Sequence, residues 1–298
     1  MGREAAGGVA VLVTAVGRLL LALLMMPLAA AAVDLAPLWD FGNPALSEQR
    51  FRAALAGASP DDALVLQTQI ARSFGLRGDF DRAREVLAEV QPRLANAGAE
   101  PRVRYALELG RTYASATHPA ASQTPDTREK ARAAFLQAAA LGREARLDAL
   151  AVDALHMMAF VDTAPADQVK WGEQALSLAL ASSQPDARNW EASLRNNIGY
   201  SLHEQGRYQE ALAQFQQALA VRQRGSNAKA TRIAQWMVAW TLRSLGRIDE
   251  ALAMQLQLEK DWEAAGSADK YVFEELAELY RAKGDEARAS TYAERAKK

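Results

Sequence analysis

The sequence predicts an all-α protein assembled from repeated helical hairpins, and three features support this fold class. Apolar and small residues recur at the spacing of one helix face, in pairs of segments separated by a glycine. The same pattern returns several times along the 298 residues. No stretch shows the alternation of apolar and polar residues that is typical of a half-buried β-strand.

The clearest hairpin is "NNIGYSLHEQGRYQEALAQFQQALAVR", residues 196–222. Apolar residues mark one face of each half, and Phe215 is the largest of them in the second half. Gly206, between the halves, can adopt the left-handed backbone conformation that ends a helix. Gly199 and Ala211 are small, so we expect the two helices to approach each other closely there.

These residues resemble a tetratricopeptide repeat, a two-helix unit with small and large residues at fixed places. Arg195 and Leu202 stand where the family pattern has Trp and Tyr, and the remaining positions match. The pattern recurs around Ala71, Gly110, Ala239 and Ala277 and in a less regular pair of segments over 146–181. The resemblance covers roughly 63–298 and implies an α-solenoid, a right-handed superhelix of about six hairpins, two of them degenerate.

Prolines and polar residues divide the chain at the expected places. Ser59 precedes Pro60 as a helix N-cap, and a further helix is predicted from Pro44 to about Ala56. We expect Trp39 to pack over the open end of the first repeat together with Phe41. The predicted organisation is a leader over 1–32, a capping segment and helix over 33–58, and the solenoid over 59–298, with a polar insertion at about 116–126.

The N-terminal segment has the composition of a secretory signal peptide. Arg3 precedes a long apolar stretch that ends in small residues, with an A-x-A site at Ala30 and Ala32. We therefore expect cleavage near Ala32, a periplasmic or secreted mature protein without membrane insertion, and a bacterial member of the repeat family. The alternatives are an uncleaved membrane anchor, or a cytoplasmic protein with a wrongly assigned start.

Composition argues against several functional classes. The net charge is −1 and basic residues are scattered among acidic ones, so no nucleic-acid footprint is present. The chain has no cysteine, which excludes disulfides and thiolate chemistry, and its three histidines leave little for a metal site. No nucleotide-binding or catalytic motif was found. The sequence thus predicts a protein that is not an enzyme and uses no cofactor or metal.

The resemblance implies that first helices line a concave groove that binds a protein or peptide. Alignment on the small positions predicts which side chains face this groove. Arginines would bind carboxylates, asparagines would bind backbone amides, and tryptophans would hold apolar side chains. The predicted partner-binding residues are Arg72, Arg111, Asp153, His156, Asn196, Asn197, Tyr200, His203, Trp236, Trp240 and Arg243.

Each of these assignments has a structural alternative. Both Arg72 and Arg111 could form salt bridges with Glu108. The two tryptophans could pack between hairpins. The row of predicted residues could continue into an acidic patch of the groove, but this patch has the composition of a solvated face; it consists of Glu274, Glu275 and Glu278.

Asp153 and His156 share a helix face and could form a catalytic pair, but a buried structural histidine is the commoner case. The predicted function is a noncatalytic binding scaffold. The alternatives are an enzymatic or small-molecule pocket near Asp153 and His156, and an assembly component that stacks weakly with copies of itself.

Overall fold

The computed structural model describes residues 32–297, and these residues form α-helices joined by short turns, with no β-strand among them. The predicted leader and its cleavage site lie outside the described residues, apart from Ala32. The helices are α1 (Pro44–Ala54), α2 (Pro60–Leu76), α3 (Phe80–Val90), α4 (Ala99–Arg111), α5 (Pro125–Glu144), α6 (Asp148–Met157), α7 (Pro165–Ala181), α8 (Pro185–Arg188), α9 (Glu191–Glu204), α10 (Tyr208–Gln223), α11 (Ala228–Ser244), α12 (Ile248–Ala264), α13 (Lys270–Ala282) and α14 (Glu286–Arg295).

Twelve of these helices pair into six hairpins, α2/α3, α4/α5, α6/α7, α9/α10, α11/α12 and α13/α14. Each hairpin packs against the next one along the chain, and the largest hydrophobic cluster runs through several consecutive hairpins. The predicted fold class is therefore confirmed: residues 60–295 form an all-α solenoid.

Small residues lie where paired helices touch, as the sequence predicts. A Cβ added to Gly199 would lie 2.8 Å from the ring of Phe215, and one added to Gly110 would lie 2.4 Å from the ring of Phe135. Both rings are completely buried. Because interiors are packed to crystal-like density, neither ring has free space to withdraw into.

The turn inside the fourth hairpin shows how the helices end. Gly206 has φ 72°, in the left-handed region. The next residue, Arg207, donates its backbone N–H to the carbonyl of Leu202 at 3.0 Å. This bond satisfies a carbonyl at the end of α9 and reverses the chain into α10.

The N-terminal segment covers the start of the first hairpin. Helix α1 begins at Pro44, as predicted, and ends at Ala54, two residues before the predicted end. Trp39 stacks on Phe41 with ring centroids 4.7 Å apart and contacts Phe51 edge-on at 4.9 Å. Phe51 is fully buried against α2. The capping segment therefore places two aromatic rings beside the first residues of the candidate site.

Candidate functional site

Side chains on successive first helices contact one another across the hairpins, and we call the surface that α2, α4, α6, α9, α11 and α13 form the first-helix face. These contacts link each first helix to the next one in the stack. The linked pairs are Arg72–Glu108, Arg111–Asp153, His156–Asn197, His203–Ser244 and Arg243–Glu275. Most of the predicted groove residues therefore lie on one connected surface.

The N-terminal part of this face holds a charged cluster, defined here as Arg72, Glu108, Arg111 and Asp153. Arg111 donates to Glu108 Oε1 at 2.6 Å and to Asp153 Oδ1 at 2.5 Å. Arg72 Nη1 lies 3.8 Å from Glu108 Oε1, which is an ion pair without a close hydrogen bond. The salt-bridge alternative to open groove exposure is therefore what the structure shows for both arginines.

Burial and charge act against each other within the charged cluster. Burial alone would lower the pKa of Arg111, but Asp153 and Glu108 outweigh it and raise that pKa. Burial alone would raise the pKa of Asp153, but the charges of Arg111 and Arg72 bring it below its usual value. The pKa of Arg72 is lowered, first by burial and then by the charge of Arg111. Arg72 is thus the less well compensated cation.

A cavity of about 240 Å³ opens beside the charged cluster. All four cluster residues line it, and apolar side chains form much of the remaining wall, including Leu76, Met157, Phe160 and Trp190. Within residues 32–297, two buried atoms of the cluster have no hydrogen-bond partner, Arg72 Nε and Glu108 Oε2. The guanidinium of Arg72 also lies over the rings of Trp39 and Phe41, at 5.5 and 5.7 Å.

The polar insertion contributes to the wall of this cavity, a role that sequence analysis missed. It spans 112–124, because α4 ends at Arg111 and α5 begins at Pro125, and it contains a 3-10 turn. Thr117 donates to the carbonyl of Gly75 at 3.2 Å, and His118 stacks on Phe80 with centroids 3.7 Å apart. The insertion thereby folds back onto the first hairpin.

In the middle of the face, His156 packs among aromatic rings rather than pairing with Asp153. Its ring lies 5.4 Å from that of Trp190 and 6.0 Å from that of Phe160, and burial lowers its pKa. The carboxylate of Asp153 is held by Arg111. Asn197 approaches His156 Nδ1 to 3.5 Å. Burial thus favours the neutral form of His156. Among residues 32–297 no carboxylate is hydrogen-bonded to its ring, so none orients it as a catalytic base.

The C-terminal half of the face carries five aromatic rings in contact, which we call the aromatic ladder: Tyr200, His203, Trp236, Trp240 and Tyr271. Trp240 stacks on His203 at 3.4 Å, on Trp236 at 5.7 Å and on Tyr200 at 6.0 Å. Trp236 meets Tyr271 edge-on at 6.3 Å and donates its indole N–H to the carbonyl of Tyr271 at 3.1 Å.

The aromatic ladder both bridges hairpins and remains accessible. Its rings come from α9, α11 and α13, so the tryptophans do pack between hairpins, which was the structural alternative to their role in the groove. Tyr200 is 47% exposed and Tyr271 is 53% exposed. Sequence analysis missed Tyr271, because it lies in the first turn of α13, away from the small residue used for the alignment.

Two asparagines and an ion pair flank the ladder. Asn197 is exposed and Asn196 half-buried, and both line an open cavity of about 350 Å³ next to Tyr200. Arg243 makes two hydrogen bonds of 2.8 Å to the carboxylate of Glu275, which is 5% exposed. The prediction of a solvated acidic face is therefore wrong for Glu275, which is a buried ion-pair partner, while Glu274 and Glu278 are exposed.

Among residues 32–297 no group of three or more histidine, aspartate or glutamate side chains converges as a metal site. In the same range, no helix has the length and apolar character needed to cross a membrane.

A stack of six helical hairpins with one continuous first-helix face defines a helical-repeat protein. Residues 190–264 match the family model of the tetratricopeptide repeat. Residues 190–264 therefore contain tetratricopeptide repeats, as the sequence predicts for this part of the chain. A search of curated proteins gave no match.

Solved structures share the fold at low sequence identity. The apo form of RapI is 11% identical with a TM-score of 0.66, over 86% of this chain and 70% of that one. A signal-transduction ATPase with a tetratricopeptide repeat sensor from Pyrococcus horikoshii is 11% identical with a TM-score of 0.65, over 85% of this chain. This chain spans 38% of the length of that ATPase. NprR in complex with its cognate peptide NprX is 13% identical with a TM-score of 0.50, over 85% of this chain and 72% of that one.

Proposed function

We propose that the protein is a noncatalytic scaffold that binds an extended peptide segment of a partner protein on its first-helix face. The observation that carries this proposal is the aromatic ladder, a continuous row of rings across three hairpins with two tyrosines about half exposed. Tyr and Trp supply a large contact area at low cost in conformational entropy, and they dominate the binding energy of many interfaces.

The spacing of the ladder suits an extended chain. Stacked neighbours Tyr200, Trp240 and Trp236 have centroids 6.0 and 5.7 Å apart, and the step to Tyr271 is 6.3 Å. Alternate side chains of an extended peptide lie about 6.6 Å apart on one side of its backbone. Successive ring positions can therefore contact every second side chain of the same peptide.

Polar groups beside the ladder supply partners for the peptide backbone. Asn196 and Asn197 line the adjoining cavity, and each amide can both donate and accept a hydrogen bond. The fold shared with NprR, which was solved with its cognate peptide, makes peptide binding a reasonable class to test first. The inference to this chain depends on the ladder rather than on that similarity.

A phage-displayed library of random 12-residue peptides, selected on the purified chain, tests the proposal. We expect enriched peptides to carry aromatic or aliphatic residues at alternate positions. Trp240→Ala and Tyr271→Ala should each weaken the selected peptides at least tenfold, because each removes one ring of the ladder. Tyr113→Ala is the matched control, since Tyr113 lies in the insertion and contacts Arg84 and Lys130 instead. Selected peptides that bind both ladder variants as tightly as the unchanged protein would refute the proposal.

We also propose that the protein is exported and cleaved near Ala32. The support is the order of a basic residue, an apolar stretch and small residues in the first 32 positions. Mass spectrometry of the protein from its native cell fractions tests this. A mature chain that still begins at Met1 and is recovered from the cytoplasm would contradict it.

A further inference from the structure

We propose that the cavity beside the charged cluster binds a small organic molecule that carries a neutral amide group on an apolar or aromatic body. This site is separate from the aromatic ladder, and the proposal does not depend on peptide binding. It rests on the two unpartnered buried atoms, the charge balance of the cluster and the composition of the cavity wall.

Among the described residues, two buried atoms of the charged cluster lack a hydrogen-bond partner, and one of them needs a donor while the other needs an acceptor. Glu108 is only 2% exposed, yet within residues 32–297 its Oε2 accepts no hydrogen bond, while Oε1 accepts from Arg111. Arg72 Nε, on the neighbouring helix α2, is a buried donor that likewise has no hydrogen-bond partner among these residues. Buried polar atoms without a partner are rare, and each one is costly. Both residues line the cavity.

The charge of the cluster selects a neutral ligand. Two guanidinium groups and two carboxylates contact one another there, so their formal charges cancel. An anionic or cationic ligand would leave one uncompensated charge in a largely buried place, which is strongly unfavourable. An amide is neutral, and its N–H and carbonyl can pair with Glu108 Oε2 and Arg72 Nε once small side-chain rotations turn these buried atoms toward the cavity.

The remainder of the cavity suits an apolar body. Leu76, Met157, Phe160 and Trp190 contribute to its wall. A dry apolar cavity of about 150 Å³ is large enough to hold benzene, so about 240 Å³ accommodates a six-membered ring together with an amide. Aromatic walls favour an offset-stacked or edge-on ring.

Three probes of nearly equal shape, benzamide, benzoate and benzamidine, distinguish a neutral ligand from an anion and a cation. Each is titrated into the full chain and followed by calorimetry and by the NMR signal of the Trp190 indole. We expect benzamide to bind at least tenfold more tightly than the other two and to shift that signal. Stronger binding of benzoate or benzamidine, or no shift with any probe, would overturn the proposal.

Two variants test whether benzamide contacts Glu108 and occupies this cavity. Glu108→Gln removes one negative charge, so we expect benzamide to weaken at least tenfold and benzoate to become the preferred probe. Glu100→Gln is the control, because Glu100 lies on the same helix, outside the cavity, paired with Arg104. Leu76→Trp fills the cavity from a partly exposed position and leaves the cluster intact, so it should block benzamide without changing the circular dichroism. Unchanged benzamide affinity in Leu76→Trp would place the ligand elsewhere and refute the proposal.

Discussion

The close contact between α4 and α5 can be tested by adding a single methyl group. In Gly110→Ala, the new Cβ would lie 2.4 Å from Phe135 Cε1 and 2.5 Å from Cδ1, whereas ordinary contacts begin at about 3.4 Å. The ring must therefore move by about 1 Å in a fully buried position. Overpacking of this kind costs about 1–3 kcal/mol, and the helix propensity of alanine over glycine returns about 1 kcal/mol.

Because the ring must move so far, we take the upper end of the overpacking range, about 3 kcal/mol. After the gain of about 1 kcal/mol in helix propensity, Gly110→Ala should lower the free energy of unfolding by about 2 kcal/mol. Gly75→Ala is the control, since its Cβ would lie 3.9 Å from Phe80, an ordinary contact. There the helix propensity term dominates, and we expect a gain of up to about 1 kcal/mol.

Urea denaturation of the full chain, followed by circular dichroism, measures both changes. The double variant Gly110→Ala, Phe135→Leu should lose less stability than the sum of the single changes, because the smaller side chain makes room for the methyl group. The close-contact argument fails if Gly110→Ala stabilises the protein as much as Gly75→Ala does.

Three further changes probe the first-helix face. Asp153→Asn should destabilise the fold by about 3 kcal/mol in urea denaturation, because Arg111 stays buried with one carboxylate partner instead of two; a loss below 1 kcal/mol would mean that the pair is solvated. Arg243→Met leaves the buried carboxylate of Glu275 unpaired, so this variant should melt at a clearly lower temperature than the control Arg247→Met. In the control, the carboxylate that loses its partner is that of Glu250, which is exposed. Equal melting temperatures of the two variants would contradict this. Burial, with the charge of Arg243, lowers the pKa of His203 to about 4. Between pH 6.5 and 4 the unfolded state therefore binds a proton that the folded state does not, so stability should fall as the pH drops through this window. His203→Gln should show a smaller fall than the unchanged protein, and identical pH profiles would disprove the assignment.

The fold could be predicted because its signals are local. Gly206 ends a helix by its own backbone conformation, and Ser59 caps α2 from the position directly before it. Gly199 and Phe215 lie 16 residues apart, within one hairpin, so their contact follows from two adjacent helices. Signals of this range can be recognised without knowing how the hairpins stack.

The candidate site could be predicted only in part, because its contacts join different hairpins. Arg111 meets Asp153 across 42 positions, and His203 meets Ser244 across 41. The alignment placed these side chains on one surface but could not show which of them would pair. Glu108 shows the difficulty: the sequence offered it as an alternative partner for two arginines, while its unpartnered oxygen depends on how three helices approach one another.

The insertion over 112–124 differs from the tight glycine turns that close four of the other hairpins. It forms a flap at the rim of the cavity, and Thr117 tethers this flap to the end of α2. Ala116 at the rim and residues 119–121 are exposed, so substitutions and changes in length there leave the buried side chains of the insertion in place. The entrance of the cavity can thus diversify independently of the solenoid that carries it.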